Sequence, residues 1–171
     1  MTDLAGIKMV IFDVDGVLTD GTIVIDAVGV ESKHFNVNDG SGIRYLQRSG
    51  IKVAFITGRQ SPVVAYRARE VGVEDVYQGA KDKREPYRKL LARHGLHDDE
   101  VCYVGDDLLD IPLLRVVGFP VAVADARPEV LKEVAYVTQA AGGKGAAREV
   151  AEKILKEQGK WESILSHYYE G

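Results

Sequence analysis

At 171 residues, 46% of them hydrophobic, the chain is long enough for one domain with a well-filled core and too apolar for disorder. Its formal net charge of −4 and pI of about 5.6 argue against nucleic acid or an anionic membrane as the main partner. The polar opening "MTDLAGIK", and the lack of any apolar run near ~18 residues, give no expectation of a signal peptide or a membrane span, so a soluble cytoplasmic protein is expected.

Short runs rich in Val and Ile alternate with longer amphipathic segments. The first predicted strand is Ile7–Phe12. An acidic loop follows, and then "TIVIDAVGVESKHF" (Thr22–Phe35) reads as a β-hairpin turning near Val28-Gly29, a flap over about residues 22–36. Helix Ser41–Arg48 leads to strand Lys52–Ile56, helix Pro62–Val71 to strand Asp75–Gln78, and helix Lys83–His94 to strand Val101–Val104. Helix Leu108–Val116, strand Pro120–Val123, a shorter helix at Arg127–Val134 and helix Gly145–Gln158 complete the series. Gly50 and Gly72 stand just past helix ends, and Ser61-Pro62 has the form of an N-cap and first turn. The strands are short, β-branched and apolar on both faces, so the expected fold is α/β: a doubly wound, mainly parallel, Rossmann-like sheet with the hairpin inserted after its first strand. The lone cysteine, Cys102, lies in the apolar run "VCYVG" and reads as a small core residue. The tail, residues 159–171, is polar with scattered aromatics and is expected either to be disordered or to dock on a partner chain.

In an open α/β sheet, ligands bind beyond the carboxyl ends of the strands. Asp13 and Asp15 follow the first strand; Thr57, Gly58 and Arg59 follow the second. Lys83 follows the third, and "GDDLLD", with Asp106, Asp107 and Asp110, follows the fourth. Each piece alone has a plain reading: D-x-D as solvated turn acids, Lys83 as a solvated helix face, Thr57-Gly58-Arg59 as a loop and cap. Their conjunction, in order and each at a strand end, is what carries meaning. Clustered carboxylates without His or Cys suggest Mg²⁺, whose charge offsets theirs. Thr57 and Lys83 can hold a phosphoryl group by hydrogen bond and by charge. One Asp can attack phosphorus, and a second, two residues on, can move the protons.

On these residues the sequence resembles the haloacid dehalogenase superfamily of phosphotransferases. "DVDGVLTDG" is similar to its first motif, "ITGR" to its second, Lys83 to its third and "GDDLLD" to its fourth. The resemblance implies that Asp13 is the nucleophile and Asp15 the general acid/base. It implies that Thr57, with Gly58, and Lys83 bind the phosphoryl group. Mg²⁺ is then held by the carboxylates of Asp13 and Asp106 and the backbone carbonyl of Asp15, with Asp107 near the metal shell and Asp110 behind it or starting a helix. Members of the superfamily often carry a cap domain. Here there is room only for a hairpin between Gly21 and Asn38, and for a helix and a turn between Lys83 and Gly105.

"GVLTDG", "FNVNDGSGI", "YQGAKDK", "YVGDDLLD", "VGFPVAVADA" and "GGKGAARE" together resemble the capless phosphatases of 3-deoxy-D-manno-octulosonate 8-phosphate (KDO 8-phosphate). That likeness implies a Mg²⁺-dependent sugar acid phosphate monoesterase of lipopolysaccharide precursor synthesis. It also implies a homotetramer in which hairpins pair and a neighbour closes the active site. Asn38 departs from the Arg common at its position, which keeps a nine-carbon, sialic-acid-type 9-phosphate open as the substrate. Arg59, Lys144, Arg148 and Asn38 are candidate sugar-binding residues, the first three as cations; the glycines and helix start of "GGKGAARE" can also bind an anion. Asp20 reads as part of the turn into the hairpin, and His34 and Phe35 as packing or interface residues. Trp161, Tyr168 and Tyr169 are too sparse for a nucleic-acid platform. Two further classes stay in view. A catalytically inactive oligomerisation module is opposed by the intact acidic set. A receiver-like phosphoacceptor is opposed by Asp15 and the hairpin.

Overall fold

Four consecutive apolar residues, Met9–Phe12, form strand β1, and all four are fully buried. A strand with no polar face belongs inside a sheet covered on both sides. The computed structural model, which describes residues 4–170, places it there. After β1 come the two-residue hairpin strands β2 (Val24–Ile25) and β3 (Glu31–Ser32), then helix α1 (Val37–Arg48). The alternation continues with β4 (Lys52–Ile56), α2 (Pro62–Glu70), β5 (Asp75–Tyr77), α3 (Arg84–His94) and β6 (Val101–Gly105). It ends with α4 (Ile111–Leu114), β7 (Phe119–Ala122), α5 (Pro128–Leu131), β8 (Tyr136–Val137), α6 (Ala146–Glu157) and α7 (Trp161–Tyr169).

Six of these strands form one parallel sheet in the order β5-β4-β1-β6-β7-β8. The chain winds outward from β1 through β4 and β5, then crosses back to β6 and winds the other way. The loops after β1 and β6 therefore part company, and a crevice opens at the carboxyl ends of these neighbours. Right-handed crossovers put α1 and α2 on one face and α3 and α4 on the other. Helix α6 returns to the α1 face, where Gly42 makes the close approach: a Cβ there would sit 2.8 Å from the Arg148 Cα and 3.3 Å from the Ala151 Cβ.

The α/β reading holds, and the departures from it have local causes. Helix α1 starts at Val37, not Ser41, because the Asn36 side chain caps it, accepting from the Asn38 N–H at 2.8 Å. The glycines at 40 and 42 are poor helix formers that serve packing. The predicted helix Leu108–Val116 is a 3₁₀ turn, Leu108–Asp110, followed by the four residues of α4. Asp110 bends that turn by accepting from the Asp106 and Asp107 N–H groups at 2.9 and 3.1 Å. Strand β8 is too short to show periodicity in sequence. The hairpin has its turn held by the Asp26 carboxylate, which accepts from the Val28 and Val30 N–H groups at 2.9 and 2.8 Å. The tail forms α7, which packs on its own chain: Trp161 and Tyr168 lie edge-on to Tyr45, with centroids 6.0 and 6.1 Å away.

The α1–α6 seam yields a stability test. Gly42→Ala inserts a methyl group against helix backbone and should lower unfolding free energy by about 1–3 kcal/mol, read from the urea midpoint at unchanged slope. An unchanged midpoint would show that the seam yields without strain.

Candidate active site

Asp13 is the first residue past β1, and its N–H continues the ladder by donating to the Val104 carbonyl at 3.0 Å. Asp106 is the first residue past β6. The two carboxylates and that of Asp110 bring oxygens within 4.8 Å of one another. Gly16 makes this possible. Its φ is +93°, and a Cβ there would lie 2.1 Å from Asp106 Oδ2. No other residue lets the loop after β1 fold down onto Asp106.

Asp110 is fully buried and already engaged. Its Oδ2 accepts the two loop N–H groups, while its Oδ1 accepts from Lys83 Nζ at 2.6 Å and from the Tyr103 hydroxyl at 2.6 Å. It is a poor metal ligand despite its position, and the open donors belong to Asp13 and Asp106. Asp106 Oδ1 is buried with no hydrogen-bond partner. Burial, then Asp13, Asp110 and Asp107, pushes the Asp106 carboxyl up to about 8. Burial raises that of Asp13 to about 7, with Asp110 adding to the effect and Lys83 opposing it. Two buried oxygen donors that resist ionising side by side fit a hard cation such as Mg²⁺.

Lys83 stands at the N-cap of α3, with its side chain 1% exposed. Its ammonium lies 2.9 Å from Asp13 Oδ1, an ion pair without hydrogen-bond angles. Asp13 and Asp110 hold the Lys83 pKa above its ordinary value against the opposing effect of burial, which is the largest. Thr57 lies two residues past the Phe12–Phe55 rung, so the loop after β4 begins level with the loop after β1. Its N–H donates to the Tyr77 carbonyl at 2.9 Å, and its own carbonyl accepts from Ala80 at 3.0 Å. Gly58 gives room to Leu109, whose Cδ2 would meet a Cβ at 2.8 Å. The loops after β4 and β6 thus close on one another.

The hairpin adds residues that sequence reasoning missed. Lys33, its side chain fully buried, pairs with the Asp15 carboxylate and lies 3.4 Å from Glu31. Arg59 bridges the same group, 3.0 Å from Glu31 and 4.0 Å from Asp15 Oδ2. Alternation along the hairpin, which puts residues 31 and 33 on one face, was the available clue. Tyr103 was also missed; the clue was a polar-tipped aromatic inside an otherwise apolar strand.

Other candidates lie elsewhere. Arg148 does not present a free cation. Its guanidinium bonds Glu152 at 2.7 Å and stacks over Tyr45 and Trp161, 4.7 and 5.4 Å from their centroids. Nor is the start of α6 open to an outside anion, because the buried Asp39 carboxylate accepts from the Arg148 N–H there at 3.0 Å. The first two glycines of "GGKG" serve packing: a Cβ on Gly142 would lie 1.8 Å from the Gly16 carbonyl oxygen, and one on Gly143 2.6 Å from the Asp20 N. Asp20 accepts from the Thr22 N–H at 2.9 Å, as a turn residue should. That bond chiefly holds its pKa below the usual range, and Lys144 and His34 lower it further; the close approach of Gly143 to the Asp20 N brings its neighbour Lys144 to this rim. Asp107 is exposed and caps its own turn, accepting from the Leu108 N–H at 2.8 Å. Asn38 is exposed on the first turn of α1. His34 is exposed, and Phe35 packs against the core beneath the Arg67 guanidinium, 5.5 Å from its centroid.

Known proteins share this arrangement. A family model described as haloacid dehalogenase-like hydrolase matches residues 39–118. The 3-deoxy-D-manno-octulosonate 8-phosphate phosphatase of Yersinia pestis is 48% identical over 158 residues, covering 92% of this chain and 84% of that protein. The Escherichia coli K12 phosphatase of the same name is 47% identical over 154 residues, covering 90% of this chain and 82% of its own. The crystal structure of the Moraxella catarrhalis phosphatase of that name, in complex with magnesium, phosphate and KDO, superposes with a TM-score of 0.95 at 38% identity, covering 97% of this chain and 95% of that one. With the four motifs in place on this sheet, the chain belongs to the 3-deoxy-D-manno-octulosonate 8-phosphate phosphatase family of haloacid dehalogenase-like hydrolases.

Proposed function

We propose that this protein is a Mg²⁺-dependent phosphomonoesterase that hydrolyses KDO 8-phosphate to KDO and inorganic phosphate, a step of lipopolysaccharide precursor synthesis in the cytoplasm. The observation that carries the chemistry is the meeting of Asp13, Asp106 and Lys83 in one buried cluster at the sheet's switch point. The naming of relatives that cover nearly the whole chain carries the choice of substrate.

In this reading an Asp13 carboxylate oxygen attacks phosphorus, and the bond from phosphorus to the sugar oxygen breaks. Asp15 gives that oxygen a proton, so the sugar acid departs as an alcohol. An aspartyl phosphate remains on Asp13. Asp15, now a base, takes a proton from water, which attacks the same phosphorus and releases phosphate. Lys83 and Thr57 hold the phosphoryl oxygens by charge and hydrogen bond. Asp13, Asp106 and the Asp15 carbonyl would hold Mg²⁺, which would supply the positive charge to offset the acids and the phosphoryl group. The pairing of Lys33 with Asp15, and of Arg59 with Glu31, supports a role for the hairpin base in steadying the acid/base group.

The hairpin also supports assembly as a homotetramer. Its Val24, Ile25, Val28 and Val30 are 41, 60, 84 and 58% exposed, an apolar strip on an unpaired edge that a neighbouring hairpin can cover. A neighbour there would also close a site that has no cap of its own.

Phosphate release from KDO 8-phosphate should be fast with Mg²⁺ and lost with EDTA, and slower from a nine-carbon sugar acid phosphate and from a hexose phosphate. Preference for the nine-carbon acid would keep the mechanism and change the substrate; no release from any of them would overturn the reading. Asp13→Asn should cut kcat by at least about 10³-fold while the melting temperature stays near wild type. Substantial residual turnover would remove the covalent step. Mg²⁺ should raise the melting temperature of the metal-free protein by binding the native state alone, and Asp106→Asn should erase that rise. An equal rise in the variant would place the ion elsewhere.

A further inference from the structure

Tyr103 is fully buried in β6, between Cys102 and Val104. Phenylalanine would fill the same volume without bringing a polar atom into the sheet. The hydroxyl instead donates to Asp110 Oδ1 at 2.6 Å and accepts from Lys83 Nζ at 3.1 Å. The Lys83 ammonium has three N–H bonds. Asp110 Oδ1 and the Tyr103 hydroxyl accept from it at 2.6 and 3.1 Å and lie 2.6 Å from each other, so together they hold one side of the ammonium. The contact with Asp13 is close, at 2.9 Å, but lacks hydrogen-bond angles. With the ammonium held on that side by these buried partners, its remaining N–H capacity is left for the Asp13 side of the crevice. A lysine tethered through Asp110 alone keeps its charge but loses this fixed orientation.

We infer that Tyr103 is a positioning residue: through its hydroxyl it fixes the Lys83 ammonium so that one N–H is held free for the phosphoryl group transferred to Asp13. This rests on the phosphoryl-transfer reading of the site and adds to it a residue outside the four motifs. The hydroxyl bonds Asp110 and Lys83 and acts through them. Its effect is to orient a hydrogen bond that strengthens as charge develops on the phosphoryl oxygens.

Tyr103→Phe removes one oxygen and keeps the ring. A matched control is Tyr87→Phe, which also removes a hydroxyl, one that donates to Asp98 at 2.6 Å on the packed face of α3. Tyr103→Phe should lower kcat on KDO 8-phosphate about tenfold or more and raise the inhibition constant of orthophosphate by a similar factor. Its Mg²⁺ affinity should match wild type, and its melting temperature should fall no further than that of Tyr87→Phe, which should keep wild-type kcat. A kcat and an orthophosphate constant both within about twofold of wild type would overturn the inference. A large melting-temperature loss with unchanged kinetics would overturn it too, leaving Tyr103 a packing residue. Calorimetry of orthophosphate on the Mg²⁺-loaded proteins separates this inference from the function on which it rests. If wild type hydrolyses none of the sugar phosphates yet binds orthophosphate more tightly than Tyr103→Phe does, the proposed function fails and the positioning role stands. If wild type binds no orthophosphate, both fail.

Discussion

The molecule is organised around a group of buried carboxylates that cannot all be charged without help. Asp13, Asp106 and Asp110 bring their oxygens within 4.8 Å of one another at the ends of the central strands. One lysine, Lys83, supplies the positive charge this chain has at their centre. It leaves the account in deficit: Asp110 is matched, and burial still raises Asp13 and Asp106 toward neutral pH. A second cation, and then a phosphoryl group that shares it, is the natural completion of such a site.

The fold holds the cluster by backbone rather than by side-chain length. Parallel pairing of β1 with β6 sets Asp13 and Asp106 side by side, and the crossover between them keeps the space above open. Gly16 lets one loop lie on Asp106, Gly58 lets Leu109 close the next, and Asp110 ties the third to Lys83. The loop at residues 142–143 then backs the loop after β1, and Asp39 joins α1 to the start of α6. The outer layer therefore bears on the loop after β1, which itself lies on Asp106.

Much of this was legible in the sequence. Apolar runs marked the five longer strands, and the ends of those runs marked the acids, because a doubly wound sheet puts all its strand ends at one edge. What was hidden depended on tertiary partners. Arg148 has the right charge for a sugar acid, but Glu152 and two aromatic rings claim it. The N-terminus of α6 has the right dipole for an anion, but Asp39, more than a hundred residues earlier in the chain, fills it. Lys33 and Tyr103 gave little sign, since a hairpin lysine and a core tyrosine are ordinary until their partners are known. Helix α7 was read as tail because its aromatics are held by Tyr45 of α1 rather than by any periodicity of their own.

Chemical trapping during turnover shows whether Asp13 carries the phosphoryl group. Borohydride reduces an aspartyl phosphate to homoserine, and mass spectrometry of the peptide containing residues 13 and 15 reports which acid was modified. Homoserine is expected at position 13 only, seen with substrate and Mg²⁺ together and absent when either is withheld. Homoserine at position 15, or an unmodified peptide from enzyme caught in steady turnover, would contradict that role for Asp13.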